Sequence, residues 1–376
     1  MKILFMLDSV TSYQSGIWFH RNEIPTTALT SRGHGVKQVA IGTSIPDYLM
    51  EWPDTVIFGR TYPSAYDPIK FMREYKKLGK RVLYDMDDDF WMVSKDNPSA
   101  NVSNALKDQY EGMIREADAI ITPSRILAKK FKKNFKKDVF ICPNGIDFKL
   151  YQERPREHEQ LMIGYMGAAS HWKDLKLIVD VLEELTRKYN FFFCIYGLTG
   201  EPLEAAMYSY QKILALNLQP EKNEYFRSAL DFYSGLQRVK LLHIPFMPPE
   251  LHPSVLSRAD FDIALAPLED TPFNAGKSSI KYYECAAVGS AVLTSDVEPY
   301  KSEANYRAKN TFIDWYNKLE KLIVDKEYRE KLAKEQREWV MKNRSTDAIG
   351  IDWELACQRP GGLKVAMQQR DESPDI

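Results

Sequence analysis

Between Asp262 and Tyr300 a short apolar run, a polar loop, a helical stretch and a second apolar run follow one another, and the loop carries groups able to hold an anion. Lys277, Ser278 and Ser279 stand at the mouth of the predicted helix, just after Asn274 and Gly276. There an ammonium, open backbone N–H groups and the positive end of a helix dipole would converge, a set that suits a phosphate. Helical spacing puts Glu284 one turn further on, sharing a face with Ile280, Tyr283 and Ala287. A carboxylate on an otherwise apolar stripe requires a polar partner, and ribose hydroxyls would serve. The same residues also fit a structural role, with a capping serine and a glutamate that snorkels or pairs with Lys281.

The elements around this segment follow a regular plan. Short β-branched or apolar runs (KILFML, VKQVAIG, TVIFGR, RVLYDMD, AIITPS, DVFICP) alternate with helical stretches from Lys2 onward. After Pro143-Asn144-Gly145 comes a polar, charge-rich stretch, YQERPREHEQ, which reads as a linker. The cycle then restarts with LMIGYMG, FFFCIYG, VKLLHIP, DIALAPL and SAVLTSD. Such alternation predicts an α/β fold with two doubly wound, Rossmann-like halves facing each other across a cleft. The expected domains are residues 1–155, residues 156–335 with an insertion over 199–238, and a C-terminal helix and disordered tail over 336–376. From Asn310 to Asn343 the pattern is amphipathic helix rich in Lys and Glu.

Bulk properties narrow the function classes. A length of 376 residues suits two domains. With 51 Lys and Arg against 52 Asp and Glu there is no global nucleic-acid signature, so partners must be sought in local patches. Cys142, Cys194, Cys285 and Cys357 lie far apart without metal-ligand spacing and read as buried thiols in a reducing compartment. The first apolar run turns polar at Asp8, too soon for a signal sequence, and no run approaches a membrane span. A cytoplasmic protein is expected, possible contact with a membrane surface included.

Several short motifs occur in a fixed order: Ser31-Arg32-Gly33-His34-Gly35-Val36, Ala117-Asp118-Ala119-Ile120-Ile121-Thr122-Pro123-Ser124, Cys142-Pro143-Asn144-Gly145-Ile146-Asp147, and PFNAGKSSIKYYE. Together they resemble the retaining family-four glycosyltransferases of the GT-B fold, whose RGHxV, ADxIIxPS and PNGID segments they match. The resemblance implies that Gly167 and Lys173, six residues apart, form the loop whose lysine meets the donor phosphate. It implies that Lys277 and Ser278 cradle the diphosphate and that Glu284 holds the nucleotide ribose. Two positions depart from the pattern: Ala168 stands where an arginine is usual, and Gly276 stands where the first glutamate of the E-x7-E pair would be. His171 is a candidate to replace the missing arginine in part. The loop from Asp8 to Gly16 is expected to reach donor and acceptor, with Gly16 as a contact, whereas His20 reads as a packed or surface histidine.

Asp85, Asp87, Asp88 and Asp89 follow the fourth run, which places them at the carboxyl end of a sheet. They best fit sugar or acceptor contacts, with Asp87 and Asp88 as catalytic candidates; the alternatives are a divalent-cation site and an N-cap. The resemblance implies that no metal or other cofactor is required. On a first-domain helix Lys129, Lys130, Lys132, Lys133, Lys136 and Lys137 are interleaved with Phe131 and Phe135, and Lys76, Lys77, Lys80 and Arg81 add a second basic cluster. They fit a solvated helix, anionic lipid or nucleic-acid phosphates.

The expected function is transfer of a sugar from a UDP- or GDP-linked donor, without a protein nucleophile, to a glycan or lipid-linked acceptor. A second version acts on hydroxylated bases in DNA, as some phage enzymes do. Other classes compatible with the fold are a sugar-nucleotide epimerase, a phosphorylase, and a non-catalytic nucleotide-sugar-binding subunit.

Overall fold

The computed structural model describes residues 1–7, 16–40, 45–60, 62, 66–93, 104–153, 159–167, 171–197, 236, 238–239 and 241–358. The chain divides into two compact units, one of Met1–Asp88, Ser103–Gly145 and Asn343–Ile376, the other of Asp89–Val102 and Ile146–Lys342. Each holds one sheet of six parallel strands.

In unit 1 the strands are β1 (Lys2–Leu7), β2 (Gly35–Ala40), β3 (Thr55–Phe58), β4 (Arg81–Asp85), β5 (Ala119–Thr122) and β6 (Asp138–Ile141), ordered β2-β1-β3-β4-β5-β6. Lys2 lies opposite Gly35, and Ile3 opposite Thr55. β1, β3, β4 and β5 are buried almost throughout, because helices cover both faces of a parallel sheet, so they read as continuous apolar runs. The helices are α1 (Gly16–Trp18), running through a π-helical turn at Phe19–Glu23 into α2 (Ile24–Ser31), then α3 (Asp47–Glu51), α4 (Pro68–Lys77), α5 (Asn104–Glu116) and α6 (Arg125–Phe135). Ser124 caps α6 by accepting the Leu127 N–H at 3.2 Å, and Lys136 ends it in the left-handed region at φ 52°.

Unit 2 contains β7 (Leu161–Met166), β8 (Phe191–Tyr196), β9 (Leu241–Ile244), β10 (Ile263–Ala266), β11 (Ala291–Ser295) and β12 (Arg307–Ala308), ordered β12-β11-β10-β7-β8-β9. This is the dinucleotide-fold order, in which the connections diverge on either side of the first strand. The crevice for a ligand then opens where the carboxyl ends of β7 and β10 lie side by side. Helices α7 (Trp172–Lys176), α8 (Val179–Lys188), α9 (His252–Ala259), α10 (Pro272–Ala275), α11 (Ile280–Ala287), α12 (Phe312–Val324) and α13 (Lys326–Arg344) accompany the strands. Ile163, Phe193, Ile263, Leu293, Leu182 and Trp315 belong to one continuous core.

The chain then returns to unit 1 as α14 (Thr346–Cys357). Trp353 of α14 is buried against Phe5 with ring centroids 6.0 Å apart. Arg81 Nε donates to the Ala356 carbonyl at 3.0 Å, and Thr55 Oγ1 donates to that of Cys357, also at 3.0 Å. The helix expected beyond residue 335 therefore completes the unit 1 core.

All eleven apolar runs read from the sequence are strands. β12, at two residues, is too short to leave a pattern. The amphipathic stretch after Asn310 forms two helices, α12 and α13, because Asp325 interrupts it and accepts the Tyr328 N–H at 2.9 Å. The loop at 8–15, most of the linker, nearly all of the 199–238 insertion and the tail from 360 lie outside the described residues. Among the described residues no helix is long and apolar enough to cross a membrane.

Candidate active site

The loop leaving β10 is fixed before it reaches α11. Leu268 N–H donates to Ser295 Oγ at 2.8 Å, and Asn310 Nδ2 donates to the Leu268 carbonyl, also at 2.8 Å. Glu269 N–H donates to Asp174 Oδ1 at 2.8 Å, and Asn274 Nδ2 donates to the Glu269 carbonyl at 3.0 Å. Thr271 caps α10 by accepting the Asn274 N–H at 3.1 Å. A loop braced by β11, α7 and its own turn can present Lys277 without ordering on ligand binding, the condition for electrostatic preorganisation.

Three basic side chains meet at its end. Lys277 Nζ stands 4.8 Å from the Phe273 ring centroid. Lys281, one residue into α11, reaches to β7, with Nζ 3.3 Å from Tyr165 Oη and 5.0 Å from the ring centroid. His171 Nδ1 is 2.8 Å from Oδ2 of the buried Asp174. The Lys281 charge, then burial and Lys277, push the His171 pKa down to about 3, against the pull of Asp174. Burial, then the Lys277 charge, push Lys281 down to about 8 despite Asp174 nearby. Burial raises the Asp174 carboxyl, but the His171 hydrogen bond and the Lys281 charge hold it below its ordinary value. Near neutral pH His171 is therefore uncharged and donates from Nδ1 to a carboxylate. Ser279, at the N-cap of α11, is fully buried, and its Oγ meets no hydrogen-bonding partner among the described residues. Two ammoniums and a neutral imidazole beside a helix N-terminus make an arrangement suited to an anion.

Gly167 closes this place on the β7 side. Its N–H donates to the Tyr196 carbonyl at 2.9 Å. A Cβ there would lie 2.6 Å from Tyr165 Oη and 3.1 Å from Lys281 Nζ, so only glycine lets these two groups pack against the end of β7. Gly197, at φ +98°, packs against Gly167 at the end of β8.

Further along α11, Glu284 is 3% exposed and has two donors on Oε1, Tyr151 Oη at 2.5 Å and His252 Nε2 at 3.0 Å. His252 Nδ1 lies 2.7 Å from Tyr196 Oη, and the two rings stack with centroids 5.2 Å apart. Burial first, and Glu284 second, hold the Tyr151 hydroxyl well above its ordinary pKa, so it remains a donor. The carboxylate thus has a fixed plane, which suits recognition of a diol.

Neither models of known protein families nor curated protein sequences match the chain. Solved structures share its fold. An alpha-glucosyltransferase in complex with UDP-glucose and DNA containing an abasic site has a TM-score of 0.63 at 12% identity, over 95% of this chain and 99% of that one. OtsA in its apo form has a TM-score of 0.58 at 11% identity, over 95% and 99%. TarM of S. aureus, in complex with UDP among other ligands, has a TM-score of 0.52 at 13% identity, over 81% of this chain and 55% of that one.

The fold is GT-B.

Against the GT-B motifs, the expected residues separate into those brought together and those placed elsewhere. Lys277, Ser279, Gly167 and His171 gather at one spot, with Ser278 half-buried in the adjoining loop. Gly276 is buried in the same loop. Asn274 braces the loop through Glu269, and Lys173 stands over the ring of its neighbour Trp172 at 5.9 Å. Glu284 follows one turn later on α11. Ala168 lies outside the described residues, while Gly16 opens α1 in unit 1.

In unit 1 the carboxylates meet arginines. Asp85 accepts from Arg21 Nη2 at 2.6 Å and Nε at 2.9 Å, and Arg21 also donates to the Cys142 carbonyl and to Asn144 Oδ1. Asp87 and Asp88 each accept from Arg60 Nη1 at 3.0 Å. Oxygens that a divalent ion would use are thus engaged by guanidinium groups. Among the described residues no group of three or more His, Cys, Asp or Glu side chains is arranged to hold a metal ion. His20 packs edge-on against Phe19 at 5.1 Å. On α6, Lys129, Lys132 and Lys133 are exposed, as is the cap Lys136, and Lys130 is half-buried. Lys137 turns inward and donates to the Ala117 carbonyl at 2.8 Å, its pKa lowered by burial and by Lys76.

Sequence reasoning missed Lys281, Asp174, Tyr151, Tyr196 and His252. Lys281 was visible as a possible partner of Glu284 at helical spacing, but the structure gives that carboxylate Tyr151 and His252 instead. Those two lie 133 and 32 residues away in the chain, so no local pattern could announce them.

Proposed function

We propose that the chain is a retaining glycosyltransferase of family four that moves a sugar from a UDP- or GDP-linked donor to a glycan or lipid-linked acceptor. The observation that carries the reading is the convergence of Lys277, Lys281 and His171 on the N-terminus of α11, at the switch point of the unit 2 sheet. Breaking a sugar–diphosphate bond develops negative charge on the leaving oxygen, and fixed cations and helix N–H groups stabilise that charge as it forms. Lys277 and the α11 N-terminus would hold the diphosphate, while Glu284, oriented by Tyr151 and His252, would hold the ribose. UDP-glucose in a complex of the similar alpha-glucosyltransferase, and UDP in one of TarM, support a uridine donor. Retention would follow from front-side attack, with the leaving phosphate helping to take the acceptor proton. Independence of a metal and a cytoplasmic location belong to the same proposal.

A thermal-shift screen against UDP, GDP, ADP, TDP and CMP, alone and as sugar conjugates, tests it. Ligand at a hundredfold excess over its dissociation constant adds about 2.7 kcal/mol. Selective stabilisation by one nucleoside diphosphate, with turnover retained in EDTA, is the expected result. Stabilisation by none of them would count against the reading.

The acceptor has a second reading, a modified base in DNA. Exposed Lys129, Lys132, Lys133 and Lys136, with the exposed Arg125, favour an anionic partner, and the likeness to DNA-bound alpha-glucosyltransferases favours a nucleic acid. Binding to duplex DNA that weakens steeply with salt would support it; no binding to DNA at low salt would leave the glycan or lipid-linked acceptor.

A further inference from the structure

Sequence spacing assigns Lys277 to the anion site but not Lys281, which stands three residues before Glu284 and so reads as that carboxylate's helical neighbour. The structure sends Lys281 in another direction. Its ammonium lies at the end of β7, 3.3 Å from Tyr165 Oη and 3.1 Å from the point where a Cβ on Gly167 would stand. We propose that Lys281 is a second substrate-contacting cation of the donor diphosphate, supplying the charge that the resemblance expects from an arginine at position 168, where this chain has alanine. This rests on reading the site as one for a nucleoside diphosphate.

Three observations carry it. The ammonium lies beside the end of β7, against Tyr165 and Gly167, at the switch point of the sheet where a phosphate would approach the α11 N-terminus. Its charged and titratable neighbours are Lys277 from the loop, Asp174 and His171 from α7, Tyr165 from β7 and Cys285 from α11 itself. Among these the described anion is Asp174, which already accepts from His171 and from the Glu269 N–H, so the two lysines have one shared carboxylate. Ser279 Oγ, buried without a partner among the described residues and two residues before Lys281, adds a donor on the same helix mouth. Lys173, the lysine that spacing selects, instead stands over Trp172 of its own helix.

The competing explanation is that Lys281 only covers the Tyr165 ring as a cation–π contact. The two differ in what a neutral side chain of similar length does. Calorimetric titration of UDP and of uridine into the wild-type protein, Lys281→Met and Lys281→Arg, at pH 7 and pH 9, separates them. Loss of a charge-assisted contact weakens UDP binding by at least ~10-fold in Lys281→Met, while uridine changes by less than ~2-fold. Lys281→Arg, which keeps the charge, recovers UDP affinity to within about 3-fold of wild type. Wild-type affinity for UDP falls between pH 7 and pH 9 as Lys281 loses its proton, and the Met variant lacks that component. UDP binding within ~2-fold of wild type in Lys281→Met, or an equal loss for uridine, overturns the inference. Thermal melts of both variants establish that they are folded, and the arginine variant keeps the test decisive if the methionine variant is not. Wild-type protein that binds none of UDP, GDP, ADP, TDP and CMP overturns the reading of the site and this inference with it; wild-type binding that Lys281→Met leaves intact overturns the inference alone.

Discussion

At the carboxyl end of the unit 1 sheet, Asp85 is paired with Arg21, and Asp87 and Asp88 share Arg60. At the same end of the unit 2 sheet, the charge of Lys277 lowers the pKa of both Lys281 and His171, with Asp174 as their nearby carboxylate. Both are charged clusters at the ends of parallel strands, yet in the first Asp85, Asp87 and Asp88 each accept from a guanidinium, whereas in the second two ammoniums share one carboxylate. Direct ion pairs of this kind tie segments together, as the reach of Arg21 to Cys142 and Asn144 shows. A self-repelling cluster is an unmet demand for an anion. The sign and balance of charge, more than position in the fold, distinguish a brace from a binding site.

The largest effect that could break this contrast is in unit 1. Arg21→Met leaves Asp85 buried without its partner, and unfolding by denaturant should show a loss of about 3–5 kcal/mol. UDP affinity of the folded fraction should not change, because Arg21 serves the fold; a loss of affinity at unchanged stability would reverse the assignment. Lys277→Ala should do the opposite, lowering kcat about 100-fold or more, the scale of one lost preorganised donor. Its melting temperature should stay close to wild type, and a large fall with turnover intact would make Lys277 a structural residue. The smallest effect is on stability against pH. Lys281 has a native pKa of about 8 against 10.5 for the ordinary group, so its charged form is disfavoured in the fold. That penalty is full below pH 8 and fades as pH rises toward 10.5, giving the ligand-free protein about 1 kcal/mol over this window after screening. Lys281→Met should remove this gain, measured as urea midpoints at pH 7.5 and pH 10.

Much of the fold was legible because parallel strands buried on both faces leave unbroken apolar runs, as in KILFML and LMIGYM. Lys277, Gly167 and Glu284 were legible because each sits at a fixed offset from a strand end or helix start. The companions of Glu284 were not, since Tyr151 and His252 reach it from distant segments, and nothing local marks a tyrosine or histidine as a carboxylate's donor. Lys281 was overlooked for a different reason: the sequence offered it only as an alternative helical partner of Glu284, while its reach to Tyr165 of β7 is a tertiary contact that local spacing does not announce. The acidic cluster shows the same limit, because its arginine partners, Arg21 and Arg60, lie on other segments.

The most direct test of the central claim is calorimetry of UDP binding to the wild-type protein at pH 8, in two buffers of different ionisation enthalpy. An anion entering the cluster should raise the Lys281 pKa, so binding should take up about half a proton at this pH. Net proton uptake that disappears in Lys281→Met is the predicted result. Absence of binding, or binding with no proton exchange, would contradict the account.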